Sequence, residues 1–591
     1  MAPRGVSQGR ELVVPRPADA VDNPLPHDRE RGRPPIQLTD GQRLWPRRMV
    51  HWYSLGQLAR TTRDLVFSRL MARHFDLRVM MQTAPSDSGD RIELARVESR
   101  DFGFDWVADT GDGFDSTYCV ARCVALPALT LQGSSGDTLT LPSADMVLFG
   151  GDLCYPVGSP ETYRQRFVGP WLVAAPRPAT PDGPVAVALP GNHDWYETLS
   201  GFRETFTRGD DFAAWRTVQT RSYFATELGP GRKLFALDLQ LAGDIDEQQL
   251  RWFVGSCKGL QSGERIVLAC GTPFWLHGNQ PPPRVGALVA AIEQAGGEVT
   301  MYIAGDRHHY QRFEAAGIQY VTCGGGGAFL HPTHTHQDHD TPAGATRATD
   351  YPDVDTSRRL GWRNLLFAWH NRDVWQLIAV ICVLLGTLLS DRALTVPGIG
   401  SLPLWRALRS AELLAPFSAL FMVALAFGIA QFGGPPPGGS RMWPGSVLHG
   451  VGQVLCLFAA WVLAATLVPG LGGNVGGMPG MELILRLLVF TLGFIAIATL
   501  LCGTALGLYL ALSVRFAGRH ANEAFSSLRV ADFKSFIRFR LTADGRLVGY
   551  VIGIDRVPRI WRPVTTSNSP LREPDDPRAT EPRLIEWFEV L

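Results

Sequence analysis

The sequence predicts an α/β domain, followed by an all-α membrane-embedded part and a small C-terminal β-hairpin region. From about Phe104 to Gly327, short β-rich apolar runs alternate with helical or loop segments. Polarity then changes abruptly near residue 373, and Trp375 to Val514 holds long apolar runs with few charges. Past Arg515, two runs of alternating apolar and polar residues flank Thr542-Ala543-Asp544-Gly545, a hairpin signal. A chain of 591 residues exceeds one domain.

Taken in order, residues 1–40 are rich in Pro, Arg and Asp and lack an apolar core segment. This predicts a disordered start with no secretory leader. Trp45 to Phe75 carries Leu55, Leu58, Leu65 and Leu70 at helical spacing between arginines, which predicts an amphipathic helix, packed on the domain or lying on a membrane surface. The α/β domain is placed at 41–350, with strands at Trp106–Ala108, Met146–Phe149, Val185–Leu189, Leu234–Leu239, Ile266–Ala269, Thr300–Ala304 and Tyr320–Thr322. Residues 351–373 read as a charged linker.

Residues 374–514 offer four candidate spans, Trp375–Leu389, Leu414–Phe432, Val447–Val468 and Leu487–Val514, the last long enough to tilt or to break at Gly503 or Gly507. Arg358, Arg359, Arg363 and Arg372 precede the first span, and Arg515, Arg519 and Arg529 follow the last. The positive-inside rule then places the α/β domain and the C-terminal region, 515–591, on the cytoplasmic side of an integral membrane protein. The hairpin is too small to stand alone and is expected to pack on the N-terminal domain.

Lys and Arg number 56, as do Asp and Glu, so the net charge is zero and nothing points to nucleic acid as a partner. The nine cysteines form no CxxC pair, which argues against a zinc ribbon or a disulfide framework.

Chemistry concentrates in three blocks: Gly150-Gly151-Asp152-Leu153-Cys154-Tyr155, Pro190-Gly191-Asn192-His193-Asp194 and Gly305-Asp306-Arg307-His308-His309-Tyr310. Each follows an apolar strand-like run, so their carboxylates, amide and imidazoles would meet on loops at neighbouring strand ends. With Asp109-Thr110-Gly111, the ordered set resembles the calcineurin-like metallophosphoesterase superfamily, in its purple-acid-phosphatase-like variant, over about Phe104 to Gly327. The resemblance implies a two-sheet α/β sandwich and a phosphoesterase using two divalent or mixed-valence metal ions, Fe, Mn or Zn. It implies that Asp109, Asp152, Tyr155 and His308 hold the first ion, and Asp152 and Asn192 the second. His193 would face the substrate as the catalytic imidazole, with Asp194 helping to orient it.

The chain departs from the family pattern where two histidines are expected. It has Asp306 in the last motif and Gly271 before Thr272-Pro273. Asp306 can ligate through oxygen, favouring harder ions, whereas Gly271 offers no side chain, leaving His277, His331 or His334 to fill the gap. Arg307, His309 and Arg312 are candidates for phosphate contact. The His-rich loop from His331 through His334 and His336 to His339 could also bind metal, and Gly324 to Gly327 reads as a tight turn beside the site. The expected partners are the lipid bilayer and a phosphorylated small molecule or lipid headgroup. The competing reading is a metallophosphoesterase-like membrane sensor or scaffold that binds a phosphorylated ligand without turnover.

Overall fold

The computed structural model describes residues 33–38, 41–60, 63, 91–92, 102–132, 138–239, 243–276, 281–335, 341–342, 344–395, 416–434, 443–467, 480–542, 544–564 and 569–591. Among them are two large sheets, one of nine strands and one of eight. In the nine-stranded sheet β1 (Phe102–Val107) pairs in parallel with β2 (Met146–Phe149), as β2 does with β3 (Val185–Ala188). The eight-stranded sheet carries β4 (Arg265–Cys270), β5 (Glu298–Ala304) and β6 (Ile318–Cys323), also parallel in succession.

The sheets face one another across a core that draws Phe104, Trp106, Leu148 and Val187 from one and Leu234, Val267, Met301 and Val321 from the other. Helix α1 (Phe114–Ala125) covers the outer face of the first sheet, and α2 (Glu247–Cys257) and α3 (Pro283–Gln294) that of the second. Strands buried on both faces read as continuous apolar runs, which is why these were visible in the sequence. In α2 the buried face carries Gln249 and Phe253, with Gln248 turned outward.

The C-terminal strands are built into the first sheet. β7 (Lys534–Leu541) pairs antiparallel with β1 along Ile537 to Leu541, β8 (Leu547–Ile554) pairs with β7, and β9 (Arg583–Val590) pairs with β8. Ile537 and Phe539 enter the core between the sheets, with Phe539 stacked on Phe104 at 4.6 Å. Arg538 holds the carboxylate of Asp105 through two bonds of 2.8 and 2.7 Å, both side chains being fully buried. Residues 515–591 thus share the fold of the N-terminal domain, because β1 would otherwise present an unpaired edge.

Other boundaries also differ from the sequence reading. Residues 45–53 are not helical; helix begins at 55, and most of the stretch to Phe75 lies outside the described residues. Of the stretch read as disordered, residues 1–32 lie outside the description, while Ile36–Gln37 pairs with Arg43–Leu44 and Arg33 is ion-paired to Asp115. The charged linker is helical: α4 (Val354–Gly361) is capped by Asp353, and single turns follow at Trp362–Leu366 and Phe367–His370.

Four apolar helices come next among the described residues: α5 (Val374–Thr395), α6 (Pro416–Phe432), α7 (Pro444–Leu467) and α8 (Gly480–Ala517). Among the described residues, α7 and α8 are long and apolar enough to cross a membrane; α5, joined at a 58° bend to the helical segment before it, makes a third candidate, and the 17 residues of α6 fall short. Helix α8 runs unbroken through Gly503 and Gly507. These glycines serve close approach, since a Cβ at Gly503 would stand 2.5 Å from the Ala368 Cβ and one at Gly507 would strike the Asn364 carbonyl. The last turns of α8 pack Tyr509, Leu510 and Val514 against Phe329 and Leu330 of the α/β domain and Phe525 of α9 (Ala521–Leu528).

Candidate functional site

Asp109, Asp152 and Asp306 follow the C-terminal ends of β1, β2 and β5, and all three adopt left-handed backbone, with φ of 56°, 52° and 67°. Such conformations cost on the order of 1 kcal/mol or more for a residue with a Cβ, and three at one place mark a site held by its surroundings. Glycines make the crowding possible. A Cβ at Gly191 would strike the Asp152 carboxylate, and one at Gly324 or Gly305 that of Asp109. Gly324 to Gly327 thus form a close-packed turn beside the site.

Tyr155 is the hub. Its hydroxyl lies 3.0 Å from Asp109 Oδ1, 3.5 Å from Asp152 Oδ2 and 3.0 Å from His308 Nε2. His308 Nδ1 lies 2.7 Å from the Phe329 carbonyl. A carbonyl only accepts, so Nδ1 carries the proton and Nε2 turns a lone pair toward Asp109, 3.4 Å away. A metal-ligating histidine is oriented in the same way.

Burial and the charges of Asp152 and Asp306 raise the Asp109 pKa well above the usual carboxylate range, and burial followed by Asp306 raises that of Asp152. Burial pushes His308 far below its ordinary value, so it is neutral. These are the electrostatics of carboxylates crowded together in a dry place, where a cation would relieve the repulsion.

Asp194 does not orient the imidazole of His193. Its carboxylate accepts from the backbone N–H of Gly191, Asp152 and Leu153 at 2.8, 2.9 and 3.2 Å and from the Tyr163 hydroxyl at 2.6 Å, clamping the β2 and β3 loops together. The His193 ring is held by the Pro156 carbonyl, 2.7 Å from Nδ1, which leaves Nε2 as an acceptor in the neutral ring, and burial lowers the ring pKa. The His193 backbone N–H donates to Asp152 Oδ1 at 2.8 Å.

The side of the site assigned to a second ion is sparser. The Asn192 amide nitrogen donates to the Tyr196 hydroxyl at 2.8 Å, and the Asp306 carboxylate lies 3.9 Å from Arg307 Nε. A Cβ at Gly271 would stand 2.8 Å from the Pro190 carbonyl, so the position has no room for the missing histidine. Gly271→His is therefore expected to lower stability by about 1–3 kcal/mol without raising metal affinity, as read by thermal melts and metal titration. A gain in affinity would show that the loop can move aside.

His277, His336 and His339 lie outside the described residues. His331 stacks on His308 with ring centroids 3.8 Å apart, on the first-ion side, and its Nε2 lies 3.3 Å from Asn522 Oδ1 of α9. His334 bonds Ser357 instead. Arg307, His309 and His331 line a cavity of about 120 Å³ that reaches Gly518 and Asn522, just past α8. Arg312 turns away from the site to Glu586 of β9, with its Nη2 2.7 Å and its Nε 3.1 Å from the carboxylate.

Two contributors escaped the sequence reading. Asp112 accepts from Val50 N and Phe329 N at 2.8 and 3.2 Å, tying two segments over the cluster. Trp52 then packs edge-on against His193 and Tyr155. Asp112 lies in the same short acidic, glycine-rich run as Asp109, and that was its one visible signal.

Among the described residues no three His, Cys, Asp or Glu side chains stand in ready-made ligating geometry. Asp109, Asp152 and His308 instead meet through the Tyr155 hydroxyl. The donor set nevertheless fits a cation, with two buried carboxylates, a phenol and an imidazole of fixed tautomer converging on one point.

No family model and no curated protein matches the chain. A solved structure, that of GAP50, the anchor in the inner membrane complex of Plasmodium, aligns at 12% identity over 43% of this chain and 79% of its own, with a TM-score of 0.31. A likeness so loose decides nothing about activity.

Proposed function

We propose that the chain is a membrane-anchored, metal-dependent phosphoesterase of the calcineurin-like type, acting on a phosphomonoester or phosphodiester. The observation that carries this reading is the convergence of Asp109, Asp152 and His308 on the Tyr155 hydroxyl at the ends of parallel strands. Asp109, Asp152, Tyr155 and His308 would hold one ion of Fe, Mn or Zn, and Asp152, Asn192 and Asp306 a second. The chemistry such ions would supply is activation of water at neutral pH and offset of charge on phosphoryl oxygens. His193 offers Nε2 to a proton of the substrate or of the attacking water, while Arg307 and His309 give cationic and hydrogen-bonding contact to phosphate. The packing of the Phe329 loop on the end of α8 supports a site close to the bilayer. In this reading α7 and α8 cross it, α5 is a further candidate, and the excess of arginine at both flanks of the apolar part puts the α/β domain and the C-terminal strands on the cytoplasmic side.

The test is hydrolysis of a chromogenic phosphomonoester and phosphodiester by the detergent-solubilised full chain. Turnover is expected to vanish with a chelator and to return with manganese, iron or zinc. Folded protein that turns over neither ester with any metal would favour a phosphate-binding sensor or scaffold, the reading that the closed Gly271 position supports.

A further inference from the structure

A second cavity, of about 800 Å³, lies between the N-terminal segment, the first turn of α1 and the C-terminal residues 529–572. It is a large pocket by the measure of ligand sites. Among the described residues, six arginines line it, Arg33, Arg47, Arg48, Arg529, Arg559 and Arg572, against one carboxylate, Asp115. That carboxylate is already engaged by Arg33 at 2.9 and 2.8 Å and by Trp561 Nε1 at 3.1 Å. Asp532, beyond the lining, takes Arg559 at 3.0 Å. Asp112 and Asp373, also outside the lining, act on Arg529, so the lining itself is the basic part of this region. Gly113, Phe114 and Ser116 add the amino end of the 12-residue helix α1, where the Phe114 N–H already donates to the Arg47 carbonyl at 2.8 Å. The positive end of the helix dipole and the guanidinium groups thus act in the same sense.

The cavity is tied to the membrane entry. Arg529, which ends α9, donates to the His370 carbonyl at 2.6 Å and to Asn371 Oδ1 at 3.1 Å, within four residues of the start of α5. Trp369 beside it is 63% exposed, with the Arg372 guanidinium over its ring at 4.5 Å. Exposed tryptophan and arginine at the head of an apolar helix are features of a bilayer interface. None of the six arginines belongs to the phosphoesterase cluster.

We infer that this cavity binds a phosphate-bearing anion at the membrane surface, independently of the catalytic site. An anionic phospholipid headgroup and a soluble phosphate share the required chemistry. The test titrates the full-length protein in uncharged detergent and chelator with dioctanoyl phosphatidylinositol bisphosphate, dioctanoyl phosphatidylcholine and inorganic pyrophosphate, with binding read by native mass spectrometry.

Arg48→Gln with Arg572→Gln is expected to weaken bisphosphate-lipid binding about tenfold or more, the size of effect expected for losing charge-assisted contacts, with phosphatidylcholine unaffected. Added salt is expected to weaken the binding as well. Binding of the lipid alone assigns the site to a headgroup, and binding of pyrophosphate as well shows that phosphate suffices. Equal affinity in the parent and a folded variant, or binding of neither anion, overturns the inference. Arg48→Gln alone, at an exposed position, serves if the double variant misfolds.

Discussion

Ending the chain at Ala517 is expected to leave the α/β domain unable to fold, even though the cut removes none of the residues assigned to the metals. β7, β8 and β9 lie in the interior of the nine-stranded sheet, between β1 and the hairpin formed by 128–132 and 138–142. Their loss strips Ile537, Phe539, Val551 and Phe588 from the core between the sheets. It also leaves Asp105 buried without Arg538. Breaking one partner out of a buried ion pair costs about 3–5 kcal/mol, and each large core side chain on the order of 2–5, against a total stability of about 5–15. The truncated chain should be found in aggregates or degraded, and co-expression of residues 518–591 should partly restore it. A soluble truncated chain with a cooperative melt would refute this account of the sheet. Arg538→Ala tests the same point with one side chain, and Arg538→Met with Asp105→Leu is expected to recover much of the loss, since apolar replacement of a buried pair is often neutral.

Asp152→Asn is expected to reduce turnover by about 10³-fold or more, roughly 4 kcal/mol of barrier, while leaving the protein folded. The amide keeps Oδ1 as acceptor for the His193 N–H, so the loop contact survives. What disappears is the negative charge that two cations would share. In chelator, the variant is expected to melt no lower than the parent, because burial and Asp306 already disfavour the ionised carboxylate. With manganese, the parent should gain stability through ligand binding and the variant should gain much less. A variant that melts lower in chelator and responds to metal like the parent would make Asp152 a structural residue. The paired melts separate the two roles where an activity assay alone would not.

The sequence by itself determined the strand-end placement of the cluster. Asp109, Asp152 and Asp306 each follow an apolar strand that had to be buried on both faces, and the glycines beside them are needed wherever backbone crowds a carboxylate. It also determined where the chain becomes apolar enough for lipid, since that depends on composition alone. Tertiary structure alone decided how distant segments combine. Strand pairing carries no local signature, so nothing within 534–590 announced that β7 would lie on β1. The family resemblance made Asp194 a partner of His193, yet its carboxylate turns to amides of two loops that only folding brings together. Gly271 read as a missing ligand, and the Pro190 carbonyl beside it shows why no side chain fits. Periodicity and turn chemistry are local and can be read along the chain; which carboxylate meets which amide depends on contacts between residues far apart in sequence, and these exist only once the core has closed.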